Sequence, residues 1–156
     1  MPSGVIHTKA TVATTLVVSV SSYLFGATPE TTLALSVGAF LGTVVNPDAD
    51  CDNGSYSLYV VRVLCGDVVS RLYQLFWMPY SLIVKHRSFI SHSPIIGTAI
   101  RFAYLFAVPA IIIFALDRYY AILLLPLSIT VFCGLCVSDT VHVIMDAIST
   151  AIKRTS

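Results

Sequence analysis

Four histidines and a few aspartates carry most of the metal-ligating capacity of this chain. His7, His86, His92 and His142 all lie beside the ends of apolar segments, and Asp48, Asp50 and Asp146 are the aspartates nearest them in the pattern. Imidazole nitrogen with carboxylate oxygen suits zinc, manganese or iron better than calcium. Such a set can coordinate a divalent cation and, where a coordination position stays open, activate water. His142 and Asp146 are four residues apart, so on a helix they share a face. That spacing suits two ligands on one ion, and it also arises by accident. Asp48, Asp50 and Asp52 alternate, which puts their carboxylates on one side of an extended segment. The run is not a calcium loop, because the glycine and the later glutamate needed at fixed positions are missing.

Composition says where these groups must sit. Of 156 residues, 56% are hydrophobic and only 11% are charged, against roughly 25% charged in a soluble domain. Much of the surface is therefore expected to face lipid. The net charge of +1 gives no electrostatic basis for nucleic-acid binding. Cys133 and Cys136 form a CxxC inside an apolar run, where small residues serve helix packing more often than metal or redox chemistry. The first apolar run lacks a clear small-residue cleavage site and reads as retained.

Four apolar segments stand out, at residues 11–25, 31–45, 94–116 and 119–137. A membrane span needs roughly 20 apolar residues. The last two segments meet that length; the first two are shorter and carry Ser, Thr and Gly. Gly38 and Gly42, at GxxxG spacing, would allow close helix contact. Thr28-Pro29-Glu30 reads as a turn and helix start before the second segment. The expected fold is all-α: a polytopic membrane helical bundle of about four membrane segments plus interfacial amphipathic helices, in one domain over residues 1–156. Residues 46–93 form its cytoplasmic or interfacial insertion. Within it, residues 58–84 have helical apolar spacing, and Trp77 and Tyr80 suit the headgroup level.

Lys9, Arg62, Arg71, Lys85, Arg87, Lys153 and Arg154 fall on one side of this topology, and Arg118 falls on the other. The positive-inside rule puts the larger set, and both ends of the chain, in the cytoplasm. Every ligand candidate then lies at the cytoplasmic face: His7, Asp48, Asp50, His86, His92, His142 and Asp146. Helices packed side by side bring their ends within roughly 10 Å of their neighbours. Plainer readings exist for each piece. The NPDAD run also reads as a solvated turn and cap, and HRSFISHSP as a loop into a helix capped by Ser91 or Ser93. Arg101, about 10 Å into the third segment, either snorkels to the headgroups or faces the bundle mouth and binds an anion such as phosphate.

The combination resembles a family of uncharacterised membrane metal-binding proteins found in cyanobacteria and other bacteria. The resemblance covers most of the chain, and the motifs that carry it are PSGVIH, NPDAD, the long run WMPYSLIVKHRSFISHSPIIGTAIRFAY and the late HVIMD. The family is in turn distantly similar to inner-membrane metal-dependent hydrolases. The resemblance implies a metal site built from His7, Asp48, Asp50, His86, His92, His142 and Asp146. Two departures stand out: Thr8 follows the first histidine where members often carry Asp, and CVSDTV precedes the late histidine where members are often aromatic-rich.

The leading functional expectation is a multi-pass protein of the inner (plasma) membrane that holds divalent metal, zinc ahead of manganese or iron, at its cytoplasmic face. Its reaction would be hydrolysis of a phosphoester, with a lipid as one candidate substrate. Asp50 would bridge metals or act as base, and Arg87 or Arg101 would neutralise the phosphate. The alternative is a non-catalytic metal-binding scaffold or sensor, distinguished by a closed coordination shell. A transporter fits less well, because the third and fourth segments offer no carboxylate near the midplane.

Overall fold

A computed structural model of the chain describes residues 4–50, 55–84 and 88–155. Among them every regular element is helical: α1 (Gly4–Leu24), α2 (Pro29–Leu41), a 3₁₀ turn (Pro47–Asp50), α3 (Tyr56–Ile83), α4 (Phe89–His92), α5 (Ile96–Leu116) and α6 (Arg118–Thr155). The all-α expectation therefore holds.

The first two helices form a hairpin whose turn is written in local chemistry. Gly26 takes a left-handed φ of +80°, and the Ala27 amide donates back to the Ser22 carbonyl at 3.0 Å, a common way to end a helix. Thr28 then caps α2, its hydroxyl accepting from the Thr31 amide at 3.3 Å, and Pro29 occupies the first turn. The backbone and the Thr28 hydroxyl hold the exposed Glu30 carboxyl below its usual range.

α2 lies against α6 along a seam of glycines. A Cβ at Gly38 would run into the Val131 carbonyl, one at Gly42 into the Ser138 side chain, and one at Gly134 into the Leu35 carbonyl. The GxxxG expectation is borne out, with Gly134 on α6 as its counterpart. The packing role foreseen for the CxxC thus falls to the glycine between its cysteines, since Cys133 is exposed and Cys136 half-buried.

α3 kinks at Gly66, where φ is +85°, and then packs inward. Trp77 and Tyr80, expected at the headgroup level, are each only 3% exposed. Their rings meet each other and Tyr104 at centroid separations of 5.3–5.6 Å. Val45, Val84 and Leu135 complete this core. Aromatic side chains suit a membrane interface and a protein core equally well, so composition alone could not separate the two.

Two helices among the described residues are long and apolar enough to cross a membrane, α5 and α6. The expectation of about four membrane segments is thereby reduced to two candidates. α2 has 13 residues, about 20 Å of helix, which is short of a hydrocarbon core of about 30 Å. α1 has 21 residues, but Thr, Ser, His7 and Lys9 dilute its apolar character. α6 runs to 38 residues, about 57 Å. It continues well past the apolar stretch that ends near residue 137, and that extension carries the late histidine and aspartate.

Candidate metal centre

Three elements bring the ligand candidates together. The first turn of α1 supplies His7, the 3₁₀ turn supplies Asp48, and the second half of α6 supplies His142 and Asp146. His7 Nε2 lies 3.2 Å from Asp146 Oδ1. His142 Nε2 lies 3.6 Å from Asp146 Oδ2 and 3.5 Å from Asp48 Oδ2. The two imidazoles stack, with centroids 4.2 Å apart and planes at 24°. One donor atom from each of His7, His142 and Asp146 lies within 4.8 Å of the others.

These residues fit a divalent cation. Both histidines are buried, and neither His7 Nδ1 nor His142 Nε2 has a hydrogen-bond partner among the described residues. Burying an unpaired polar atom costs roughly 1–3 kcal/mol, and a cation bound among these groups would offset part of that cost. Ligand atoms bound tetrahedrally to zinc at about 2.0–2.2 Å stand about 3.3–3.6 Å apart. The imidazole–carboxylate separations of 3.2, 3.5 and 3.6 Å lie at or beside that range, and the full three-donor set fits within 4.8 Å. Two carboxylates, Asp48 and Asp146, supply the negative charge that a divalent ion would neutralise.

Asp48 is set by a residue the sequence reading left without a role. Asn46 is buried. Its Oδ1 accepts from the Asp48 amide at 3.0 Å, and its Nδ2 donates to Ser57 Oγ at 2.8 Å and to the Thr43 carbonyl at 3.4 Å. An Asx turn tied to α3 thus aims the carboxylate at His142. Beside it, His7, Thr11, Asn46, Asp48, Ser57 and His142 line a small cavity of about 20 Å³, enough for one water. Asp146 also opens, with His92, Thr150 and Arg154, onto a groove of about 580 Å³.

The remaining predicted residues separate. His92 lies on α4, lines that groove, and shares a hydrogen bond between its Nδ1 and Ser91 Oγ at 2.9 Å. Asp50 closes the 3₁₀ turn; its side chain, together with His86 and Arg87, lies outside the described residues. Arg101 neither snorkels nor faces the mouth. It is 0% exposed, donating through Nη2 to Asp139 Oδ2 at 2.7 Å and through Nη1 to the Ser91 carbonyl at 2.7 Å. A guanidinium inside an apolar bundle needs a counter-charge, and Asp139 supplies it. One sign of this was legible: Arg101 lies deep in an apolar segment, and Asp139 is the carboxylate that closes another.

A family profile described as "Uncharacterized metal-binding protein (DUF2227)" matches residues 2–156, and the chain belongs to that family. No curated protein and no solved structure matches it.

Proposed function

We propose that this is a divalent-metal-dependent hydrolase of the inner (plasma) membrane that cleaves a phosphoester at the cytoplasmic face. The observation that carries the reading is the convergence of His7, His142 and Asp146 at metal-ligand spacing, with buried ring nitrogens lacking hydrogen-bond partners. Zinc is the proposed ion, ahead of manganese or iron, because the donors are imidazole and carboxylate. When bound, such an ion supplies Lewis-acid polarisation of a phosphoryl oxygen and of water. His7, His142 and Asp146 hold it; Asp48 stands 3.5 Å from His142, and His92 lines the groove onto which Asp146 opens. Asp50 is the proposed base, and Arg87 the group that meets the phosphate. The groove beside Asp146 admits the ester.

Membrane residence rests on α5 and α6. Only 6% and 17% of their apolar windows are buried inside the protein, whereas the core helix of a soluble protein is mostly covered. In this reading α5 and the first half of α6 cross as a hairpin turning at Asp117 and Arg118, and the metal end lies on the side rich in Lys and Arg.

The test is elemental analysis of detergent-purified protein, followed by hydrolysis of a chromogenic phosphodiester. We expect about one equivalent of metal, lost in His142→Ala, and turnover that chelator abolishes and added metal restores. A metal-free wild-type protein would end the proposal. Full loading without turnover would favour a second reading, a non-catalytic metal clasp. That reading draws on the way the centre ties α1, the 3₁₀ turn and α6 together.

A further inference from the structure

We propose that the buried Arg101–Asp139 pair is a positioning device for the metal centre: it fixes Ser91, and through Ser91 it presents His92 to the centre as a ligand. The inference rests on the metal reading above and goes beyond it by assigning a role to residues outside the ligand set.

Ser91, Thr98, Arg101 and Asp139 are each 0% exposed and come from three different helices, α4, α5 and α6. Asp139 Oδ2 accepts from both Arg101 Nη2 and the Thr98 hydroxyl. The second arm of the guanidinium, Nη1, takes the Ser91 carbonyl. Ser91 then hands the connection on, its hydroxyl bonded to His92 Nδ1. Asp139 precedes His142 by one helical turn, so the network joins the helix carrying two ligands to the turn carrying another.

α4 cannot hold its own place. It has four residues, and so short a helix has no intrinsic stability. Its position comes from contact: Gly97, in the first turn of α5, lies so close that a Cβ there would strike the Ile90 and Ser91 carbonyls. A buried ion pair is also a poor choice if stability is all that is needed, since apolar residues of similar volume often do as well or better. What the pair does provide is a fixed Ser91 carbonyl, and with it the backbone from which the Ser91 hydroxyl, also bonded to the Ser88 carbonyl at 3.2 Å, meets His92. With Nδ1 bonded to that hydroxyl, coordination by His92 goes through Nε2, and the hydroxyl sets ring orientation and tautomer, as outer partners of metal-bound histidines do. His92 and Asp146 line the same groove.

The experiment is a cobalt(II) titration of the detergent-purified full chain, followed by its visible absorption. The variants are the apolar double replacement Arg101→Met with Asp139→Leu, Ser91→Ala, His92→Gln, and each of the first two combined with His92→Gln. The double replacement should stay helical and bind cobalt about 10- to 100-fold more weakly. Its spectrum should match that of His92→Gln, and adding His92→Gln should cost nothing further, since groups acting through one ligand are not additive. Wild-type affinity and spectrum in the double replacement, or losses that add, would overturn the inference. Should that protein fail to fold, Ser91→Ala decides: we expect about tenfold weaker binding, again with no further loss on His92→Gln, and unchanged binding overturns the idea. If wild type and His92→Gln bind cobalt alike, only this inference falls. A wild type that takes up no cobalt removes the metal reading as well.

Discussion

Asn46 does for Asp48 what Ser91 is proposed to do for His92: it fixes a ligand candidate without being one. Its side chain satisfies the Asp48 amide and reaches Ser57 on α3. Asn46→Ala would leave a buried hydroxyl and an amide without these bonds. We expect a loss of about 1–3 kcal/mol, read as a lower thermal unfolding midpoint, and a larger loss for metal-loaded than for chelator-treated protein. Equal losses in the two forms would mean that Asn46 supports the fold alone. At this scale the sequence was informative where chemistry is intrinsic to a residue type. His7, His142 and Asp146 declare themselves as donors wherever they fall, and the structure gathers them. Asn46 and Asp139 do not, because their meaning depends on partners 11 and 38 residues away. Arg101 misled for the same reason: a cation in an apolar segment signals that a partner exists and leaves open whether that partner is a substrate or an aspartate.

Helices and turns were legible wherever a local rule was enough to specify them. Thr28-Pro29 starts α2 as read. The apolar segments became helices, and the Gly38–Gly42 spacing found a close neighbour in α6. Two things escaped. α6 has no break near residue 137 because Ser, Asp and Thr there sit on a helix that continues, so hydropathy marked the end of the apolar stretch and not of the element. Gly134 was hidden inside a motif usually read for its cysteines. The glycines themselves offer a test. Gly38→Ala places a Cβ against the Val131 backbone, which cannot rotate away, so α2 and α6 must part; we expect at least the 1–3 kcal/mol of ordinary overpacking. Gly26→Ala meets nothing within 4 Å and carries only the cost of a left-handed alanine, about 1–2 kcal/mol. Thermal unfolding in detergent should therefore rank Gly38→Ala well below Gly26→Ala, and a reversed order would show that the helix seam does not hold the bundle.

For the whole molecule, the question is how α6 sits in a bilayer, and one helix carries its own ruler. Cys133 and Thr150 are both exposed on α6 and stand 17 residues apart in sequence, about 26 Å along the axis. Were the protein water-soluble, cysteines at the two positions would meet the same solvent. If α6 crosses as proposed, Cys133 lies in hydrocarbon, where a charged reagent does not enter. Position 150, beside Arg154, would lie beyond the cytoplasmic headgroups. The comparison needs two single-cysteine proteins, one keeping Cys133 and one carrying Thr150→Cys, with the other cysteines replaced by serine. In vesicles with the cytoplasmic face outward, a membrane-impermeant maleimide should label the Thr150→Cys protein and spare Cys133 until detergent is added. In vesicles of the opposite orientation, both should stay silent until detergent is added. Labelling of Thr150→Cys from the outer face would reverse the orientation drawn from Lys and Arg. Equal labelling of both positions in intact vesicles would mean that α6 does not cross, and that its apolar surface is covered by protein instead.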